Sequence, residues 1–274
     1  MVKMLLFSGC FLLCTSYTAS YRYSDPTLLL GTVSVGNETS MDACEVTLNE
    51  WLFFLDENRG DSSLFPDERA LPSPWYSLLL ADVRNGRPFH YLRGGGNGFF
   101  GLKWRSIDSL PRGASVPINA PITGITYEQA LRYCKWLENK ENKDRSADRQ
   151  IVIGLPSVAL YKQVIENVDS VSHHAKVPCH RFTFNYKHPV CDDRASPPDS
   201  QGESLVRADA YWPSKWGLYC LQGNAAEMTS LKGIAMGGSY RHYAWQSHSD
   251  QWQTYSKPEE WLGFRFIVTR KIVD

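Results

Sequence analysis

Three stretches of this 274-residue chain carry the apolar spacing of a helix, and the long segments between them carry no period at all. That imbalance constrains the fold more than any other feature. In ACEVTLNEWLFFLDENRG (43–60), apolar residues fall at Val46, Trp51, Leu52 and Leu55. Thr47 is a ready N-cap with Glu50 three residues on, the reciprocal pattern of a capping box, and Gly60 marks the stop. In ITYEQALRYCKWLENKENK (125–143), Thr126 and Gln129 repeat the device, and Ala130, Tyr133, Cys134 and Leu137 form the apolar stripe. A short strand at 151–153 then leads into a third helix from Ser157. Residues 61–118, rich in Gly, Pro, Ser and Arg, read as long loops with few regular elements, and 168–215 as another long irregular stretch. A strand ending at Gly36 opens the folded part. Two more are expected near the end, in GIAMGGSY and WLGFRFIVTR, the last setting Phe264, Phe266 and Val268 against Arg265, Ile267 and Thr269.

Long loops need anchors, and the chain supplies them. Aromatic residues make up 13%, with 9 Trp and 14 Tyr, large amphipathic rings that pin connections or build a binding surface. Lys+Arg and Asp+Glu are both 29, so the formal charge is zero. With no basic stripe, acidic tail or charge block, nothing points to a nucleic acid as partner.

The first twenty residues read as an export signal. Lys3 precedes LLFSGCFLLC (5–14), an apolar run too short to span a bilayer but of the length of a signal-peptide core. Thr18-Ala19-Ser20 offers an ordinary cleavage site, while FSGC resembles a bacterial lipobox in which Cys10 would carry a lipid anchor. Both routes place the protein in the bacterial cell envelope, periplasm or outer membrane, the second with membrane attachment. Residues 21–274 then form a single domain. Cys44, Cys134, Cys179, Cys191 and Cys220 remain, and Cys179 with Cys191 would close a short loop if paired. HHAKVPCH, with His173, His174, Cys179 and His180, has a ligand-like look, but no second ligand pair follows at zinc spacing, so it reads as a polar surface loop.

Five pieces in order carry a family likeness: CEVTLNEWLFFL (44–55), PITGITYEQALRYCKWL (121–137), GLPSVALYKQV (154–164), GLYCLQGNAAEMT (217–229), and GGSY with GFRF (237–240, 263–266). Together they resemble the formylglycine-generating, or sulfatase-modifying, enzymes and their relatives. The resemblance implies an α+β, C-type-lectin-like fold with few regular elements and much ordered loop. It also implies a site. Members that oxidise cysteine to formylglycine hold copper through two thiolates a few residues beyond Gly-Gly-Ser. Here those positions fall at His242 and Ser247. A serine hydroxyl cannot replace a soft thiolate for Cu(I), so copper is not expected.

The family's calcium sites use backbone carbonyls with Asn, Asp and Glu side chains, which suit a hard cation. By likeness, Gly223, Ala225 and Glu227 match one such site, although Cys220 stands where an Asn or Asp belongs, and Asn185 and Asp199 resemble the other. Calcium is therefore the one cofactor to look for.

Two functions follow. The first is a non-catalytic envelope module with a groove walled by Arg241, His242, Tyr243, Trp245, Ser247, Trp252 and the 86–104 loop, taking another envelope protein or a peptide-like ligand. LFPDERALPSPW (64–75) adds a likeness to gliding-motility and type IX secretion lipoproteins of this fold. The second is an oxygen-dependent metalloenzyme whose rearranged site draws on His242, His248 and another His, or on Cys220.

Overall fold

The computed structural model describes residues 31–36, 38–72, 74–85, 92–94, 101–103, 118–172, 184–187, 204–211 and 213–271. Its centre is a four-stranded antiparallel sheet built from both ends of the chain. Strands β1 (Thr32–Gly36) and β2 (Thr39–Asp42) form a hairpin, and β10 (Ile267–Arg270) lies between β2 and β5 (Ile151–Gly154), giving the order β1-β2-β10-β5. Alternation sends successive side chains to opposite faces. Ile151, Ile153 and Val268 enter one apolar cluster, whereas Val35, Met41 and Ile267 enter a second. Cover is uneven at the edges, where Val152 of β5 and Ser34 of β1 are exposed.

The larger cluster is filled by helices whose starts are written in the sequence. In α1 (Leu48–Glu57), Thr47 Oγ1 accepts from Glu50 N at 3.3 Å and Glu50 Oε2 accepts from Thr47 N at 2.7 Å. The exit differs from expectation: α1 ends at Glu57 with Asn58 as its cap, whose Nδ2 donates to Phe54 O at 2.8 Å, before Gly60 is reached. Its buried Trp51 stacks on Tyr133 with ring centroids 5.7 Å apart. Tyr133 belongs to α3 (Tyr127–Asn142), which repeats the capping box through Thr126 and Gln129. Gln129 Nε2 also donates to Ser63 O at 2.8 Å and Phe65 O at 2.9 Å, tying down the preceding loop. Removing a cap of this kind costs about 1 kcal/mol.

Two expectations are refined. The 61–118 segment is not loop alone, for α2 (Pro74–Arg84) sits within it. Proline is at home in the first helical turn, and Tyr76, Leu79, Leu80 and Val83 are buried at helical spacing. The C-terminal alternation is also displaced, because β10 starts only at Ile267 and Arg265 is fully buried beside Phe264.

The second smaller cluster rests on α4 (Val158–Ser172), where Ser157 Oγ accepts from Leu160 N at 3.1 Å and Tyr161, Val164 and Ile165 are buried. A second sheet of very short strands positions the site: β6 (Ala226–Met228), β7 (Ile234–Met236), β8 (Gln253–Thr254) and β9 (Leu262–Gly263), in the order β8-β7-β6-β9. A separate ribbon pairs β3 (Leu92–Gly94) with β4 (Gly101–Lys103). No helix among the described residues is long and apolar enough to cross a membrane.

Candidate functional site

Strand β6 carries Glu227 into the interior, and the residues before β10 bring Arg265 to meet it. Arg265 Nε donates to Glu227 Oε2 at 2.7 Å and Nη2 to Oε1 at 2.6 Å, and neither side chain is exposed. The guanidinium's other protons go to the carbonyls of Asp42 (3.1 Å), Ala43 (3.2 Å) and Tyr219 (2.8 Å). A buried ion pair costs desolvation on both sides, and only such complete satisfaction offsets it. Burial works against the Arg265 charge, but Glu227 beside it holds the guanidinium well above its ordinary value. Burial likewise raises the Glu227 carboxyl, with Arg265 pulling the other way; since both its oxygens accept N–H groups, it is bound as the anion.

Glu45 completes this interior. Its Oε1 accepts from Asn224 Nδ2 at 3.1 Å, while Oε2 is buried without a partner. Burial pushes its carboxyl well above the carboxylate range, and the same holds for Asp42. Asn224 takes a left-handed conformation at φ 59°, with its N–H donating to Asn185 O at 2.7 Å and its Oδ1 accepting from Asn185 Nδ2 at 3.1 Å. At Gly223 a side chain would drive into that same Asn185 carbonyl at 2.4 Å, which is why glycine stands there. Asn185 and Gly223, which the resemblance assigned to separate calcium sites, thus form one junction. The residues around Glu227 do not fit a calcium ion: the carboxylate already faces a fixed cation through both oxygens, and the oxygen ligand expected upstream is the buried Cys220. Burial raises the Cys44 and Cys220 thiols, which leaves both unreactive.

Beyond the Gly237-Gly238 turn the chain comes to the surface as a stapled segment. Gln253 Oε1 accepts from Gly238 N at 3.2 Å, and its Nε2 donates to Gln246 O at 2.7 Å. Gln222 Nε2 donates to Ser247 O at 3.0 Å. His242 and Ser247 both rest on this turn. Ser239 Oγ is 2.7 Å from His242 Nδ1 and accepts from Arg241 N at 3.1 Å. Burial lowers the imidazole's pKa, and its ring meets Trp261 edge-on at 4.9 Å. Ser247 packs against Gly238 so closely that a Cβ there would lie 2.2 Å from its Oγ, an atom that is itself buried without a partner. Among the described residues no three His, Cys, Asp or Glu side chains are grouped to hold a metal.

The same segment exposes its rings. Tyr243, Trp245 and Trp252 are 38%, 60% and 54% exposed, so these rings face solvent and not the core. Two lysines that sequence reasoning missed stand over them, Lys187 Nζ at 5.0 Å from the Tyr243 centroid and Lys162 Nζ at 5.5 Å from that of Trp252. Helical position on α4 could have flagged Lys162; nothing in the sequence could have flagged Lys187. Arg241 instead pairs with Glu260. Asp199, Cys10, the His173–His180 cluster and most of the 86–104 loop lie outside the described residues.

Among the described residues, an α+β fold of two four-stranded sheets, a two-stranded ribbon and four α-helices, closed around a buried Glu–Arg pair, defines the class of protein. The sulfatase-modifying factor enzyme 1-like domain family matches residues 30–270, and the chain belongs to that family. No curated protein matches the chain. Solved structures similar in fold include PvdO from Pseudomonas aeruginosa, at 14% identity and TM-score 0.49, with 84% of this chain and 80% of that one covered. Treponema denticola variable protein 1 aligns at 12% identity and TM-score 0.48, over 89% and 93%. CarF aligns at 17% and 0.47, over 86% and 87%.

Proposed function

We propose that this domain is a binding module of the bacterial cell envelope that has given up its family's copper chemistry. One observation carries the reading. The positions matching the copper thiolates hold a half-buried His242 engaged by Ser239 and a buried Ser247, while the rings around them face solvent. A surface of fixed aromatic plates is built to hold a partner. The occupant is another envelope protein or a peptide-like ligand, with export directed by residues 1–20 and the mature chain either cleaved or anchored at Cys10. The likeness of 64–75 to gliding-motility and type IX secretion lipoproteins supports an assembly role.

Metal analysis of protein produced from Tyr21 onward tests this. After dialysis the native chain should hold neither copper nor iron in stoichiometric amount. The double variant His242→Cys/Ser247→Cys should gain one Cu(I), because both positions rest on the same turn. Stoichiometric copper or iron in the native chain would overturn the reading in favour of a metalloenzyme. Intact mass of the mature N-terminus separates a diacylated Cys10 from a cleaved form.

A further inference from the structure

The exposed rings do not stand alone, and what stands over them narrows the occupant. Lys187 and Lys162 each hold an ammonium above a ring of the 241–252 segment. Neither forms an ion pair among the described residues, and the segment's single acidic residue, Asp250, pairs with neither. The third cation of the face, Arg241, is already neutralised by Glu260. An ammonium over an aromatic face keeps part of its charge unsatisfied and its position fixed, so a carboxylate arriving from solvent meets a prepared partner. Trp245 and Trp252 directly precede Gln246 and Gln253, and the bond from Gln253 Nε2 to Gln246 O ties together the two backbone stretches that carry the tryptophans. Next to Trp252, the two-residue strand β8 is the end strand of its sheet among the described residues, with β7 as its one strand neighbour there. Such an edge offers main-chain donors and acceptors to an extended chain, which a glycan cannot use in register.

We propose that the 241–252 surface binds an extended acidic peptide segment, its carboxylates on Lys162 and Lys187 and its apolar side chains on Trp245 and Trp252. This rests on the binding-module reading and names the chemistry of its ligand.

The test uses the protein from Tyr21 onward and fluorescein-labelled twelve-residue peptides. One alternates Glu with Leu and Val, and a second carries Gln at each Glu position. Anisotropy at low salt should show the acidic peptide binding roughly fivefold tighter than its amide twin, the yield of two exposed ion pairs, with the advantage fading as salt rises. Lys162→Gln/Lys187→Gln should bring the two peptides level. Trp245→Ala/Trp252→Ala should weaken both by about tenfold or more. All these positions reach the surface, so melting temperatures should stay at the native value. Equal binding of the two peptides by the native chain, or a preference that survives the lysine substitutions, overturns the acidic ligand and leaves the module reading standing. Binding untouched by the tryptophan substitutions overturns the module reading itself. An acidic polysaccharide such as polygalacturonate binding more tightly than the acidic peptide overturns the peptide. No binding of any probe overturns both.

Discussion

The Glu227–Arg265 centre and the 241–252 rim handle the same materials in opposite ways. In the centre every charge is buried and answered, with one guanidinium serving a carboxylate and three carbonyls. On the rim, rings and ammoniums face outward, and Lys162 and Lys187 meet rings but no ion-pair partner among the described residues. The hydrogen bonds of Gln222 and Gln253 tie down the rim's backbone and leave the faces of Trp245 and Trp252 exposed. The lesson is a division of labour: what the fold needs is sealed inside, and what distinguishes this chain is displayed on a stapled edge.

The sharpest way to break that contrast is to open the centre. Arg265→Ala strands the Glu227 carboxylate in the interior and should cost about 3–5 kcal/mol, read by urea denaturation. A loss no larger than that of a surface substitution would mean the centre is not sealed. Replacing both partners, as Arg265→Met with Glu227→Leu, should recover much of the stability, since no charge is then left alone. Next in size is Gly238→Ala, at the joint between the two regions. The new Cβ meets Ser247 Oγ, and the φ of 65° is strained for any side chain, so about 1–3 kcal/mol should be lost. Adding Ser247→Gly should return the steric part only.

The same interior also responds to pH. Burial raises the Glu45 carboxyl well above its ordinary value, so the folded chain keeps a proton that the unfolded chain releases. Stability from this group is therefore full below the ordinary carboxylate range. It falls as pH rises above that range, by up to about tenfold in the folded-to-unfolded ratio per pH unit, until the folded value is passed. Glu45→Gln cannot ionise and should flatten the decline when urea midpoints are compared between pH 5 and pH 8. A slope that Glu45→Gln leaves unchanged would assign the decline to the other carboxyls raised by burial, those of Asp42, Glu50 and Glu227.

Legibility in the sequence followed the reach of the interactions. Both capping boxes were readable because each is closed within three residues, Thr47 with Glu50 and Thr126 with Gln129. Helix α2 was hidden by its Pro- and Ser-rich surroundings, although Tyr76, Leu79, Leu80 and Val83 have helical spacing. Strands of two or three residues, such as β8 and β9, are too short to show any period. Alternation set Arg265 on the face opposite Phe264 and Phe266 by parity, and parity carries no information about a partner 38 residues away. Glu45 gave no signal at all, since a lone Glu between Cys44 and Val46 looks the same whether it is paired or stranded. The aromatic rim was legible as composition, but the lysines over it depend on how α4 and the residues near 185 come to rest.

The reach of Arg265 to the carbonyls of Asp42 and Ala43 spans 223 and 222 residues of chain. That distance sets an order of events. The capped helices can form as soon as their own residues are free, whereas the loop closed by Arg265 is nearly the whole domain and closes late and slowly. Until it does, Asp42 and Glu45 lie apart from the guanidinium that will face them, whereas Glu227, only 38 residues from Arg265, can pair with it earlier. Proton uptake can cover that interval, so the polypeptide should reach its native state faster in mildly acidic surroundings than in alkaline ones.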